Sequence, residues 1–154
     1  DEAIGWLEVF ENLIITRTFS KAYGLAGLRV GYSICNSKIS DYINRIREPF
    51  NVNNTAQVAA IAALSDIDFL QESVNINNDG SKQLVDGFKL LDLKYIPSFA
   101  NFIAVKFNDA LQTYNDLLRE GVIVRPVEMS NYLRISIGTA KENEHLLSAL
   151  KKIL

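Results

Sequence analysis

The sequence predicts a mixed α/β chain built in two parts, on three observations. Near its start, two short apolar runs at residues 12–15 and 29–35 flank a loop rich in hydroxyls and glycine, the pattern of buried strands joined by a connection. A long helical pattern then occupies residues 67–93. After it the periodicity becomes strand, helix, two strands and helix, which makes a small two-layer α+β unit. The division falls between residues 1–68 and 69–154, with the long helix as the link.

Each element has a local cause. Trp6, Leu7 and Phe10 fall at helical spacing over residues 4–11, and Asn12 ends that run. Ile39, Tyr42, Ile43 and Ile46 stand at i, i+3, i+4 and i+7 of an amphipathic helix that Pro49 stops, with Arg45 and Arg47 on its solvated face. Asn54 or Thr55 caps the next helix. From Ala56 to Leu64 that helix is small and apolar all round, which predicts burial on every side. Within the long pattern, Asn77-Asn78-Asp79-Gly80 predicts a kink, since glycine costs about 1 kcal/mol against alanine inside a helix. Farther on, 101–107 reads as a strand, 109–119 as a helix ended by Gly121, and 122–126 and 132–137 as strands. Thr139 and Glu142 form a capping-box pattern for a last helix that runs to Lys152.

Composition narrows the function classes. Hydrophobic residues make up 48% and charged residues 22%, the balance of an ordinary soluble globular protein. Sixteen Lys and Arg against eighteen Asp and Glu leave −2 with no block of like charge, which points away from nucleic acid and from a membrane surface. Cys35 has no partner for an internal disulfide and reads as a small buried hydrophobe in a strand. His145, the one histidine, reads as a surface residue, and one Cys with one His supplies no zinc cluster, so no metal is expected. No apolar run reaches the roughly eighteen residues of a membrane span, and a cytoplasmic protein is expected. The chain lacks an initiator Met and enters directly into helical pattern, so a fragment is expected.

The chemistry gathers in residues 16–32, which read Thr-Arg-Thr-Phe-Ser-Lys-Ala-Tyr-Gly-Leu-Ala-Gly-Leu-Arg-Val-Gly-Tyr. A connection held by sheet at both ends can point Lys21 into a cleft, where desolvation and neighbouring cations favour the neutral, nucleophilic amine. Thr18, Ser20 and Arg29 then supply hydroxyls and a planar fork of donors for a phosphate. An amine for covalent attachment beside a fixed anion site is what pyridoxal 5'-phosphate needs. The same residue types also occur in ordinary connections, so spacing alone leaves both readings open. Gly24, Gly27 and Gly31 lack the spacing of a dinucleotide fingerprint.

This seventeen-residue segment resembles the lysine segment of the fold type I aminotransferases, most nearly that of the histidinol-phosphate aminotransferases. The Asn-rich turn before the Ala-rich helix and the terminal α+β unit are similar as well. The resemblance implies the C-terminal part of a fold type I transferase that depends on pyridoxal phosphate. Residues 1–68 would be the remnant of the large cofactor-binding domain, and 69–154 the linking helix and small domain. It also implies that Lys21 carries the cofactor and that Thr18, Ser20 and Arg29 bind its phosphate. Leu133-Arg134-Ile135-Ser136-Ile137-Gly138 resembles the segment whose arginine binds the amino-acid carboxylate, and this role passes to Arg134. By the alternation of its strand alone, Arg134 faces away from Leu133 and Ile135 and reads as solvated.

Arg125 takes the family's place beside a substrate phosphate, and Asn101 that of a residue facing the site. Asp1-Glu2-Ala3 is not assigned the family's pyridine-binding aspartate, because Asp1 lies only twenty residues before Lys21 and Ile4 stands where a Tyr belongs. The activity implied is amino transfer between L-histidinol phosphate and 2-oxoglutarate by a cytoplasmic homodimer, with small-molecule substrates and neither nucleic acid nor membrane as partner. Aromatic-amino-acid transamination and threonine-phosphate decarboxylation are the neighbouring alternatives. A reading of another class is a folded, catalytically incomplete module that self-associates.

Overall fold

A computed structural model describes residues 2–154. Asp1, set aside above as a cofactor partner, lies outside the described residues. The chain divides into two compact units, residues 1–71 and 72–154, and the division falls inside one long helix.

The first unit opens with α1 (Glu2–Gly5), continued by a 3-10 turn at Trp6–Glu8. Strands β1 (Ile15–Thr18) and β2 (Gly31–Ile34) pair antiparallel, with Ile15 opposite Ile34 and Thr18 opposite Gly31. The first strand therefore starts where the apolar run 12–15 ends, and its ladder is carried by the Thr-Arg-Thr that follows. Ile14, read as strand core, is exposed. Cys35 lies one residue past β2 and is half-buried rather than enclosed in the strand.

Helix α2 (Ser37–Ile46) starts on the Asn36 side chain, which accepts from the Ile39 N–H at 2.9 Å. Helix α3 (Asn54–Ser65) starts on Asn53, one residue before the expected cap, because the extended backbone of Asn53 places its side-chain Oδ1 2.8 Å from the Ala56 N–H. Burial of α3 differs from expectation. Only Ala56 and Ala60 are enclosed, packed near Phe19 and Val30, whereas Val58 and Ile61 are each 68% exposed. Within the described residues nothing covers that face.

Helix α4 (Ile67–Leu90) is continuous, without the kink that Asn77–Gly80 predicted. A Cβ at Gly80 would lie 2.7 Å from the Ile137 side chain and 2.8 Å from both the Asn143 amide nitrogen and the Gly138 carbonyl oxygen. The glycine thus serves close approach and does not break the helix. Asp92, in the left-handed region, ends the helix, and the Leu93 N–H reaches back to the Phe88 carbonyl at 2.9 Å.

In the second unit, β3 (Lys94–Ile96), β4 (Phe102–Lys106), β5 (Arg125–Pro126) and β6 (Tyr132–Ser136) form an antiparallel sheet in the order β3-β4-β6-β5. Helices α5 (Ala110–Arg119) and α6 (Ala140–Ile153) complete it, capped by Asp109 and Thr139. One core joins Leu84 and Phe88 of α4, Ile103 and Val105 of β4, Leu133 and Ile135 of β6, Leu117, Leu146 and Leu150. Burying a side chain of this size is worth about 1.5–3 kcal/mol. Strand β3 has no expectation behind it, because its three residues follow a helical pattern and precede Pro97. Strand β5 is shorter than the run 122–126. Val122 and Val124 still point into the core while Ile123 is 86% exposed, so the alternation survives where pairing with β6 does not. Among the described residues no helix is long and apolar enough to cross a membrane.

Two outcomes follow from this packing. Gly80→Ala gains up to about 1 kcal/mol of helix propensity but overfills a closed contact at a cost of about 1–3 kcal/mol, so net destabilisation is expected in urea unfolding. Glu142 is held below its ordinary carboxyl value of 4.5 by the Thr139 N–H and hydroxyl, each 2.8 Å away. A depressed folded-state value adds stability above the unfolded one and loses it as pH falls through the folded one. The Glu142 amide should therefore lose exchange protection in acid below about pH 4.5, and Glu142→Gln, which removes the titrating group, should flatten that response. An equal pH response in the variant would refute the assignment.

Candidate active site

The connection between β1 and β2 is built around Phe19. Its side chain is 4% exposed and packs beside Val30, Ala56 and Ala60, with the Tyr23 ring centroid at 4.9 Å and that of Tyr32 at 5.9 Å. Its N–H donates to the Val30 carbonyl at 3.2 Å, and its own carbonyl accepts from the Leu25 N–H at 2.9 Å. Both limbs of the connection are thereby tied to one residue. The small side chains of Ala56 and Ala60 let α3 come close enough to close this core.

Around that anchor the polar residues are free to face outward. The Thr18 hydroxyl accepts from the Ser20 N–H at 3.0 Å, a side-chain turn that sets Ser20 and Lys21 one after the other. The Lys21 carbonyl accepts from the Gly24 N–H at 2.8 Å, and Gly24 takes φ +70, the left-handed conformation glycine adopts at little cost. Lys21 is exposed, so this chain alone does not desolvate its amine. Arg29 is also in the left-handed region, at φ 53, which costs a residue with a Cβ about 1–2 kcal/mol. One of its terminal nitrogens donates to the Ala26 carbonyl at 3.0 Å, leaving its other donors for a ligand.

Thr18, Ser20, Lys21 and Arg29 thus share one pinned connection. Residues 16–32 hold three cations and no carboxylate. That donor set fits a phosphate, and the amine two residues after Phe19 fits a carbonyl compound attached beside it. The fit extends to pyridoxal phosphate.

In the second unit, Arg134 stands on the sheet face away from the core, as the alternation of β6 predicts. It lies opposite Ala104 on one side and Arg125 on the other. Two arginines directly opposite each other repel, and no carboxylate pairs with either among the described residues. The Arg134 Nε is buried without a hydrogen-bond partner, and its guanidinium carbon sits 4.8 Å from the Phe102 ring centroid. The donors of such a pair are of the kind that suits an anion. Asn101 is exposed at the head of β4, where its backbone carbonyl accepts from the Ile137 N–H at 3.0 Å.

Sequence reasoning missed Phe102 and the role of Gly31. A Cβ at Gly31 would fall 2.6 Å from the Arg17 carbonyl oxygen, so β2 approaches β1 as only glycine allows, opposite Thr18. Two cavities among the described residues lie elsewhere. One of about 660 Å³ runs between residues 121–124 and the start of α6, and one of about 790 Å³ is walled by Arg47 and the amides near it. Neither contains a predicted site residue, and Arg47 already donates to Asn44 and Asn51 at 2.9 Å each. His145 is exposed, as expected.

Gly31→Ala should part the two strands, because a backbone oxygen cannot rotate out of the way. The expected cost is about 1–3 kcal/mol, read as lost exchange protection at the Phe19 amide.

Comparison with known proteins shows the family. Residues 2–150 match the family model described as aminotransferase class I and II. The chain is 50% identical over 156 residues to histidinol-phosphate aminotransferase of Methylobacillus flagellatus and 52% identical over 157 residues to histidinol-phosphate aminotransferase 2 of Pseudomonas aeruginosa. Each match covers 99% of this chain and 42% of the relative, so the chain spans less than half their length. Among solved structures, the histidinol-phosphate aminotransferase of Clostridium acetobutylicum superposes with a TM-score of 0.89 at 26% identity, covering 97% of this chain and 48% of that one. The Sinorhizobium meliloti enzyme, solved in complex with pyridoxal-5'-phosphate, gives 0.82 at 30% identity, covering 95% and 43%.

Proposed function

Since the chain belongs to the class I and II aminotransferase family, we propose that the whole protein transfers an amino group between L-histidinol phosphate and 2-oxoglutarate, using pyridoxal 5'-phosphate. The observation that carries this reading is the pinned connection with its amine, hydroxyls and cations and no carboxylate. About 50% identity to proteins named histidinol-phosphate aminotransferase supports the choice of substrate. Unit one belongs, in this reading, to the cofactor-binding domain and unit two to the small domain of a cytoplasmic homodimer.

Bound there, pyridoxal phosphate supplies an electron sink for charge that develops at the substrate α-carbon. Thr18 and Ser20 hold its phosphate through their hydroxyls, and Arg29 through the donors that Ala26 leaves open. Lys21 would hold it covalently through its side-chain amine. As a free amine, Lys21 Nζ would take the proton from the substrate α-carbon and deliver it to the reacting carbon of the bound cofactor. Arg134 receives a carboxylate on its two-donor edge, Arg125 meets the substrate phosphate, and Asn101 faces the substrate from the end of β4.

Lys21→Ala in the intact protein should lower kcat for histidinol phosphate by about three orders of magnitude or more. In the parent protein, borohydride reduction after adding pyridoxal phosphate should fix the label on Lys21 alone. Retained turnover, or label on another lysine, would overturn the reading.

A further inference from the structure

The outer face of the second unit's sheet is cationic at its ladder positions. Lys94 stands opposite Lys106, and Arg125 opposite Arg134, with no carboxylate at any paired position of that face. An exposed lysine can keep its head in water. Arg134 cannot do so fully, because its Nε is buried and unpartnered. A long, flexible cation in that position, repelled by Arg125 and unrestrained by any acid, has no electrostatic reason to hold one orientation.

The restraint comes from an aromatic ring. Phe102 lies on the same face as Ala104, diagonal to Arg134 across the β4–β6 ladder, within the reach of cross-strand side chains. The guanidinium carbon lies 4.8 Å from its centroid, inside the range of a cation–π contact. Ala104, directly opposite Arg134, is too small to compete for that space. A cation–π contact draws on the charge of the guanidinium and not on a hydrogen-bond acceptor, whereas a salt bridge would consume the donors a ligand needs.

We propose that Phe102 is a positioning residue for the substrate carboxylate: its ring holds the Arg134 guanidinium in place without taking up its donors, the buried Nε–H included, which are left to the ligand. The inference rests on Arg134 binding the carboxylate, as proposed above. It makes the ring, rather than a carboxylate partner, the element that preorganises the site.

The test uses the intact protein with Phe102→Leu, Phe102→Tyr and Arg134→Lys. Phe102→Leu is expected to raise KM for 2-oxoglutarate roughly five- to tenfold with kcat within about twofold, while Phe102→Tyr, which keeps a ring, stays near the parent. In the ¹⁵N spectrum the Arg134 Nε–H signal should move on titration with glutarate in the parent and in Phe102→Tyr. In Phe102→Leu it should broaden and respond only at higher glutarate. An unchanged KM and Nε–H titration in Phe102→Leu, with a raised KM in Arg134→Lys, would overturn the role of Phe102 and leave that of Arg134 standing. An unchanged KM in Arg134→Lys would instead remove the carboxylate reading beneath it.

Discussion

Ile103 and Val105 of β4 sit directly across from Ile135 and Leu133 of β6, and all four are at most 1% exposed. Side chains on a strand alternate, so burying these four commits the residues between them to the other face. Phe102, Ala104 and Arg134 are placed together by that commitment. A slip of one residue in the register would send Arg134 into the core and Ile135 into water, a change that no local adjustment could offset. The same burial draws in Leu84 and Phe88 of α4, which is why a glycine at position 80 can sit hard against Gly138 and Asn143 without interrupting the helix.

In the first unit a single aromatic residue has the corresponding part. Burying Phe19 contributes about 1.5–3 kcal/mol. That is enough to offset the left-handed backbone of Arg29, at about 1–2 kcal/mol, which lies near the other end of the same connection. Strain held in place by a packed neighbour is common at ligand sites, and here it falls on a residue whose donors suit a phosphate. The two hydrogen bonds of the Phe19 backbone tie both limbs of the connection that carries Lys21.

Helix α3 is enclosed on one side only among the described residues. Its alanines pack inward against the connection, yet Val58, Ile61 and Leu64 meet water. An apolar-all-round helix is ordinarily enclosed, and the uncovered side is the one that lacks a partner within this chain. Lys21 is exposed as well.

Much was legible from sequence because local chemistry decides it. The seventeen-residue lysine segment, the capping box at Thr139, the stop at Gly121 and the outward face of Arg134 all depend on residues a few positions apart. Tertiary contact decided the rest. Whether Gly80 kinks a helix or fits a contact depends on Asn143, sixty-three residues away. That β1 starts at Ile15, that β5 pairs for only two residues, and that Phe102 lies beneath Arg134 depend on which strand lies alongside. Strand register and close approach are properties of pairs of segments. A one-dimensional pattern carries each partner without saying where the other will be.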